Sequence, residues 1–212
     1  MNLSKDYHVH STFNDHSARD LTIENVVKQA ENLNLVTIAF TEHVRTSSTW
    51  IGEYLQEIAA ISKKTKVKII AGFEAKILPD GRIDCQDFYA KNYFIVASFH
   101  TLFHKKDIWL NALHKVIRNP SVDVIGHIAP EPSFQIEAQE VEELGALIYD
   151  HDKVVEINAK YHRPPANWVK TFVQEGVRMH LGSDAHRLNE VGHFSNVMDL
   201  VSLVKKRRIE TE

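Results

Sequence analysis

The chain has 212 residues, 43% of them hydrophobic and 25% charged, with a formal net charge of −3. That size supports one domain over residues 1–212 with a substantial core. The mildly acidic balance excludes the basic footprint that captures long nucleic acid, and the single cysteine, Cys85, excludes an intrachain disulfide or a thiolate metal cage.

Short apolar runs alternate with longer stretches of helical period. Asp6–His10 reads as the first strand, followed by a helix over Thr22–Asn34, capped by Thr22, with Ile23, Val26, Val27 and Ala30 on its apolar face. Leu35–Thr41 is the second strand. The next helix, Thr49–Lys64, is expected to bury Ile51, Leu55, Ile58, Ala59 and Ser62. Lys68–Glu74 is the third strand, and Pro79-Asp80-Gly81 makes Leu78–Asp84 a tight turn or small hairpin. Strand Tyr93–Phe99, helix Lys105–Arg118, strand Val122–His127 and helix Glu137–His151 follow. Strand Val154–Asn158, helix Pro165–Glu175, strand Arg178–Gly182 and helix Val191–Lys206 complete the order. Pro165 suits a first helical turn and Gly176 a helix exit. Lys205–Glu212 reads as a charged, solvated helix end. Strand–helix units in this succession predict a parallel α/β fold, closed or nearly closed as a barrel. Met1–Tyr7 is polar, and no apolar run approaches the length of a membrane span, so a cytoplasmic protein is expected.

Thirteen histidines are an excess for this length, but their positions carry more than their number. His10 ends the first strand and Glu74 the third; His43, His100 and His127 each close or follow an apolar run, and Asp184 and His186 follow Leu181-Gly182. In parallel barrels the carboxyl ends of the strands carry the active site. His8 and His10 are two apart, as are Asp184 and His186, so each pair can face one ion from one side of an extended segment. The alternative for His8 and His10 is an exposed strand face with two unrelated histidines. A buried Glu74 is costly without a partner and is expected to face a cation or to pair with Lys76. Imidazoles with carboxylates suit Zn, Mn or Fe. His114, His151, His180 and His193 read as structural or surface residues, and His104 as a weak binding candidate. Asp6 orients a histidine or meets solvent.

Asp6-x-His8-x-His10, Phe40-Thr41-Glu42-His43, Gly72-x-Glu74, Ser98-x-His100, Gly126-His127 and Gly182-Ser183-Asp184-Ala185-His186 together resemble, in order and over nearly the whole chain, the motifs of the PHP (polymerase and histidinol phosphatase) superfamily. The resemblance implies a distorted (β/α)7 barrel and a phosphoesterase site holding three divalent metal ions. It assigns His8, His10, Glu74 and Asp184 to one ion, a bridging Glu74 with His100 and His127 to a second, and His16, His43 and His186 to the third. Asp15 is an alternative ligand, an acceptor that orients His16, or neither.

The expected chemistry is hydrolysis of a phosphate monoester by metal-activated water, with Glu74, Asp184, His186 and Arg163 as catalytic residues and no Ser or Cys nucleophile. Val155-Glu156-Ile157-Asn158 resembles the segment of histidinol-phosphatase-like members, and Arg163, five positions after Asn158, is the first choice for gripping phosphate. Arg19, Arg45, Lys160, His162 and Arg187 lie near motif loops as further substrate-binding candidates. A phosphodiesterase or exonuclease acting on nucleotides or short oligonucleotides, and a non-catalytic metal-stabilised module, are the competing readings.

Overall fold

The computed structural model describes the backbone of residues 1–210 and the side chains of residues 1–205. Seven parallel strands follow one another in spatial as in sequence order: β1 (Lys5–Val9), β2 (Thr37–Val44), β3 (Lys68–Lys76), β4 (Phe94–Ser98), β5 (Val124–Ile125), β6 (Val154–Asn158) and β7 (Arg178–Gly182). The helices α1 (Ile23–Asn32), α2 (Ile51–Ser62), α3 (Asp87–Asn92), α4 (Lys106–Arg118), α5 (Ala138–Asp150), α6 (Ala166–Gln174) and α7 (Met198–Glu210) alternate with them. The result is the expected (β/α)7 barrel, nearly closed and distorted.

Closure is made at one rim. Val9 pairs with Ala185 in a parallel bridge, the His10 N–H donates to the Ala185 carbonyl at 3.1 Å, and the Asp184 N–H donates to the His8 carbonyl at 2.8 Å. The buried Asp6 carboxylate clasps this seam from inside, accepting the N–H groups of Ser183 and Gly192, both at 2.9 Å, and of His8 at 3.3 Å. Asp6 therefore meets neither solvent nor a histidine ring. The Asp6→Ala variant leaves three donors without an acceptor, two of them buried and the Gly192 N–H half-buried, at about 1–3 kcal/mol for each buried one. Its melting temperature is expected to fall by about 10 °C or more, from about 2–4 °C per kcal/mol at this size. A differential scanning calorimetry trace within 2 °C of wild type would contradict the clasp.

Local signals account for most elements. Thr22 caps α1 by accepting the Asn25 N–H at 3.2 Å, and Ile23, Val26, Val27 and Ala30 are buried as expected. Gly176 leaves α6 with φ +79°, and Gly81 turns the small hairpin with φ +82°, where Ile77 and Ile83 pair antiparallel. The floor of the barrel is a stack in which Tyr7 lies 4.6 Å from the His180 ring and 6.4 Å from Phe94. Burial drops the His180 pKa to about 4, which keeps this imidazole neutral.

Three elements depart from expectation. Helix α2 buries Tyr54 with Ile51 and Ile58, while Ala59 and Ser62 are exposed. The face turns because the Tyr54 hydroxyl donates to the Gly72 carbonyl at 3.0 Å and its ring packs edge-on against Phe13 and Trp50. The six-residue α3 was not anticipated; it seats Tyr89 against Phe73. The last helix starts at Met198 rather than Val191, preceded by two short 3-10 turns at Leu188–Glu190 and Ser195–Val197. Gly192, at φ +68°, is tied to Asp6, which holds this segment against the seam instead of in a helix. Of the charged end Lys205–Glu212, the side chains from 206 onward and residues 211 and 212 lie outside the described residues. No described helix is long and apolar enough to cross a membrane.

Candidate metal centre

Parallel strands deliver their carboxyl ends to one rim, and there the candidate ligands meet. His8 lies in β1 with His10 just beyond it. Register sets His43 of β2 directly beside Glu74 of β3. His100 comes two residues after β4, His127 two after β5, and Asp184 two after β7. His127 and Asp184 turn through left-handed backbone, at φ +25° and +54°, to reach inward. The rim opens into a cavity of about 550 Å³.

Glu74, 1% exposed, is the hub. Its Oε1 lies 3.0 Å from His100 Nε2 and 3.0 Å from His127 Nε2. Its Oε2 lies 2.9 Å from His43 Nδ1, 3.5 Å from His8 Nε2 and 3.6 Å from His10 Nε2, yet accepts no well-directed hydrogen bond. Five imidazoles round one buried carboxylate, with one oxygen unsatisfied, suit cations shared between them better than a hydrogen-bonded core. The expected alternative, a pair between Glu74 and Lys76, does not form. Asp184 Oδ1 is 3.3 Å from His10 Nε2, which is itself 3.1 Å from His8 Nε2. Three sets bring one ligand atom from each member within 4.8 Å of the others: His8, His10 and Asp184; His10, His43 and His186; and His43, Glu74 and His100.

The charges match such a role. Burial alone would raise the Glu74 pKa, but the His100 and His8 imidazoles hold it well below the usual range, and Asp184 is lowered in the same way beside His8 and His10. Both are anions at neutral pH. Burial, with the His10 charge beside it, takes His186 down to about 3, and burial also lowers His43, so each is a neutral imidazole with one ring nitrogen able to accept. His8 and His10 run the other way. Burial opposes their protonation, but Glu156, Glu74 and Asp184 outweigh it at His8, and Asp184 and Glu42 take His10 to about 9. Cation binding there releases protons.

Other expected residues take varied places. His16 stands at the mouth with its side chain 55% exposed; its ring centre is 4.9 Å from those of His43 and His186, and its Nδ1 is 3.0 Å from the exposed Asp15 carboxylate. Lys160 reaches into the cavity, its Nζ 2.9 Å from His186 Nδ1 and 3.3 Å from Asp184 Oδ1. Arg45 lines the cavity with its guanidinium 3.9 Å from Asp84. Arg163 sits behind the rim, 3.5 Å from the His127 carbonyl and 5.6 Å from the Tyr161 ring. His162 pairs with Asp199 at 3.0 Å, away from the cavity. Arg19 and Arg187 are exposed and do not line it.

Sequence reasoning passed over Phe13, Trp50, Lys76 and Tyr161 in the cavity wall, and two fully buried carboxylates behind it. Glu42 Oε1 lies 3.2 Å from His10 Nδ1 and accepts from Asn14 at 2.6 Å, while Oε2 accepts the Ser11 hydroxyl at 2.6 Å. Burial would raise the Glu42 pKa, but these donors, His10 first, bring it to about 2. Glu156 holds the other ring nitrogen of His8 at 2.7 Å. The signal that singled out Glu74, a carboxylate inside an apolar run, applied equally to Glu42 and Glu156.

Comparisons with known proteins bear on the family and the fold. Residues 6–160 match the model of the PHP domain. A protein of Acetivibrio thermocellus named as a probable phosphatase is 27% identical over 94% of this chain and 86% of its own length. A protein of Caldanaerobacter subterraneus with the same description is 29% identical over 95% and 83%. The Bacillus subtilis DNA polymerase/3'-5' exonuclease PolX is 25% identical over 86% of this chain but 34% of its own length. In fold, the chain resembles a Listeria monocytogenes structure described as a candidate histidinol phosphatase, with a TM-score of 0.71, 19% identity, and coverage of 89% of this chain and 97% of that one. With its ordered rim of imidazoles and carboxylates and a family match over most of its length, the chain belongs to the PHP domain family.

Proposed function

We propose that the protein is a metal-dependent phosphomonoesterase of the histidinol-phosphatase kind, acting on a small phosphorylated substrate. The observation that carries the reading is Glu74, buried at the centre of five imidazoles beneath an open cavity. His8, His10, Glu74 and Asp184 would hold one ion, Glu74, His100 and His127 a second, and His16 or Asp15 with His43 and His186 a third; Zn, Mn and Fe all suit the donors. Such ions supply the Lewis acidity that activates water near neutral pH and neutralises phosphate charge.

The chain's own residues do the rest. Glu74 and Asp184, anionic at the rim, would attract the cations, and the neutral His186 would offer a ring nitrogen beside them. Lys160, its ammonium at the cavity edge, is the group best placed to draw in a phosphate oxygen, with Lys76 and Arg45 farther along the wall. Arg163 would act from behind the rim through Tyr161 and His127. The apolar wall of Phe13 and Trp50 would receive the organic part of the substrate.

Protein loaded with Zn2+ or Mn2+ is expected to release phosphate from p-nitrophenyl phosphate, and faster from histidinol phosphate. Equal rates on unrelated monoesters would overturn the histidinol assignment. Faster turnover of bis(p-nitrophenyl) phosphate or a labelled oligonucleotide would favour a nucleotide diesterase, the reading that the relationship to the Bacillus subtilis polymerase/exonuclease supports. Bound ions with no activity on any ester would favour a non-catalytic module.

A further inference from the structure

Behind the ligands lies a second set of contacts centred on Glu156-Ile157-Asn158 of β6. Glu156 is fully buried, and its two oxygens are divided. Oε1 faces His8 Nδ1 at 2.7 Å; Oε2 accepts the His127 N–H at 2.8 Å and the Asn158 amide at 3.1 Å. The same Asn158 amide donates to Asp184 Oδ2 at 3.1 Å. Two glycines make this possible: a Cβ at Gly182 would collide with Glu156 Oε1 and His8 Cβ, and one at Gly126 would press on Ser98 and Val96 beside Glu156.

This geometry has a direction. An acceptor on His8 Nδ1 keeps a proton there, so the proton that a cation displaces is the one on Nε2, whose lone pair then faces His10 Nε2 and Glu74. An amide on Asp184 Oδ2 leaves Oδ1 facing His10. The strained backbone of His127 is held by the same carboxylate, as strained positions require. By contrast, none of the hydrogen bonds of Glu156 or Asn158 reaches a side chain of the His43, Glu74 and His100 set.

We propose that Glu156 and Asn158 form one positioning unit, which presents His8 through Nε2 and Asp184 through Oδ1 and so sets the occupancy of one cation position, the one shared by His8, His10 and Asp184. The proposal rests on the reading of the rim as a metal centre, but not on the identity of the ester. The Glu156→Gln variant tests it because of how its amide must settle. Two donors converge on Oε2 and one on Oε1, so the Gln oxygen takes the Oε2 place and its NH2 faces His8 Nδ1. That contact makes Nδ1 an acceptor and moves the His8 proton to Nε2, where it blocks a cation.

Wild type and Glu156→Gln, stripped and then titrated with Zn2+, are compared by mass-spectrometric metal content and by competition with a chelator. The variant is expected to hold one ion fewer, or to bind one ion about 10- to 100-fold more weakly, while its metal-free form keeps the wild-type circular dichroism and a single cooperative transition, at a melting temperature lowered by loss of the buried Glu156–His8 charge pair. Unchanged stoichiometry and affinity would overturn the proposal, as would loss of every ion from a folded variant. If Glu156→Gln does not fold, Asn158→Leu, which leaves Glu156 on His8, is judged by the same two criteria through the Asp184 arm. A wild type that binds Zn2+ yet cleaves no ester would defeat the phosphatase reading and leave this comparison intact; a wild type that binds no Zn2+ would defeat both.

Discussion

Replacing Glu74 by Gln is expected to abolish tight metal binding and, with it, hydrolysis. The substitution keeps the shape but removes the negative charge on which five imidazoles converge, and it puts an NH2 against nitrogens that need an acceptor or a cation. Breaking a buried charge pair costs about 3–5 kcal/mol, which is roughly a 10²- to 10⁴-fold loss of cation affinity at 1.4 kcal/mol per decade. Because Glu74 contacts members of all three candidate ligand sets, the loss should extend to every ion, unlike that of Glu156→Gln. Metal content after dialysis and phosphate release per mole of protein are the measurements. A Glu74→Gln protein with full metal content and more than half the wild-type rate would remove the basis of the metal-centre reading.

The Gly182→Ala variant should be the most damaging small substitution in the barrel. One methyl group must enter between Glu156 Oε1 and His8 Cβ, and neither neighbour is free to move. Glu156 is fixed by three hydrogen-bond partners, and His8 lies in β1 at the seam. Overpacking of a well-packed core costs about 1–3 kcal/mol, and pushing Glu156 off His8 adds about 1–3 kcal/mol for a buried polar group left unpaired. At about 2–4 °C per kcal/mol for this chain length, melting should fall by roughly 10 °C, with weakened Zn2+ binding in whatever remains folded. Thermal denaturation of the metal-free protein separates the two effects. A melting temperature within 2 °C of wild type would mean that the seam yields to the methyl and that the cradle is looser than its contacts indicate.

What could be read in the chain alone follows from local rules. The seven strands were legible because each is a short apolar run ended by polar or glycine residues, although β2 lies farther along than Leu35–Thr41, at Thr37–Val44, and β5 keeps only Val124–Ile125. Parallel order followed from the intervening helices. Because parallel strands all end at the same rim, the positions of His10, His43, Glu74, His100, His127 and Asp184 after apolar runs already implied that they meet.

Tertiary structure alone decided the rest, and in each case through contacts distant in sequence. The face of α2 was turned by Tyr54 reaching Gly72, and the start of α7 was delayed by Gly192 binding Asp6 across 186 positions. Helical periodicity reports neither. Lys160, rather than Arg163, became the cation beside the candidate ligands because the turn after β6 points it toward Asp184 and His186. Most of all, the sequence could mark a buried carboxylate as costly but could not say which partner offsets the cost. Glu74, Glu42 and Glu156 look alike in their apolar runs. Packing distinguishes them: Glu74 faces the cavity among ring nitrogens, while the other two lie behind the rim and grip the far nitrogens of His10 and His8. A ligand and the residue that orients it differ by a few ångströms of depth, and depth is set only when the barrel closes.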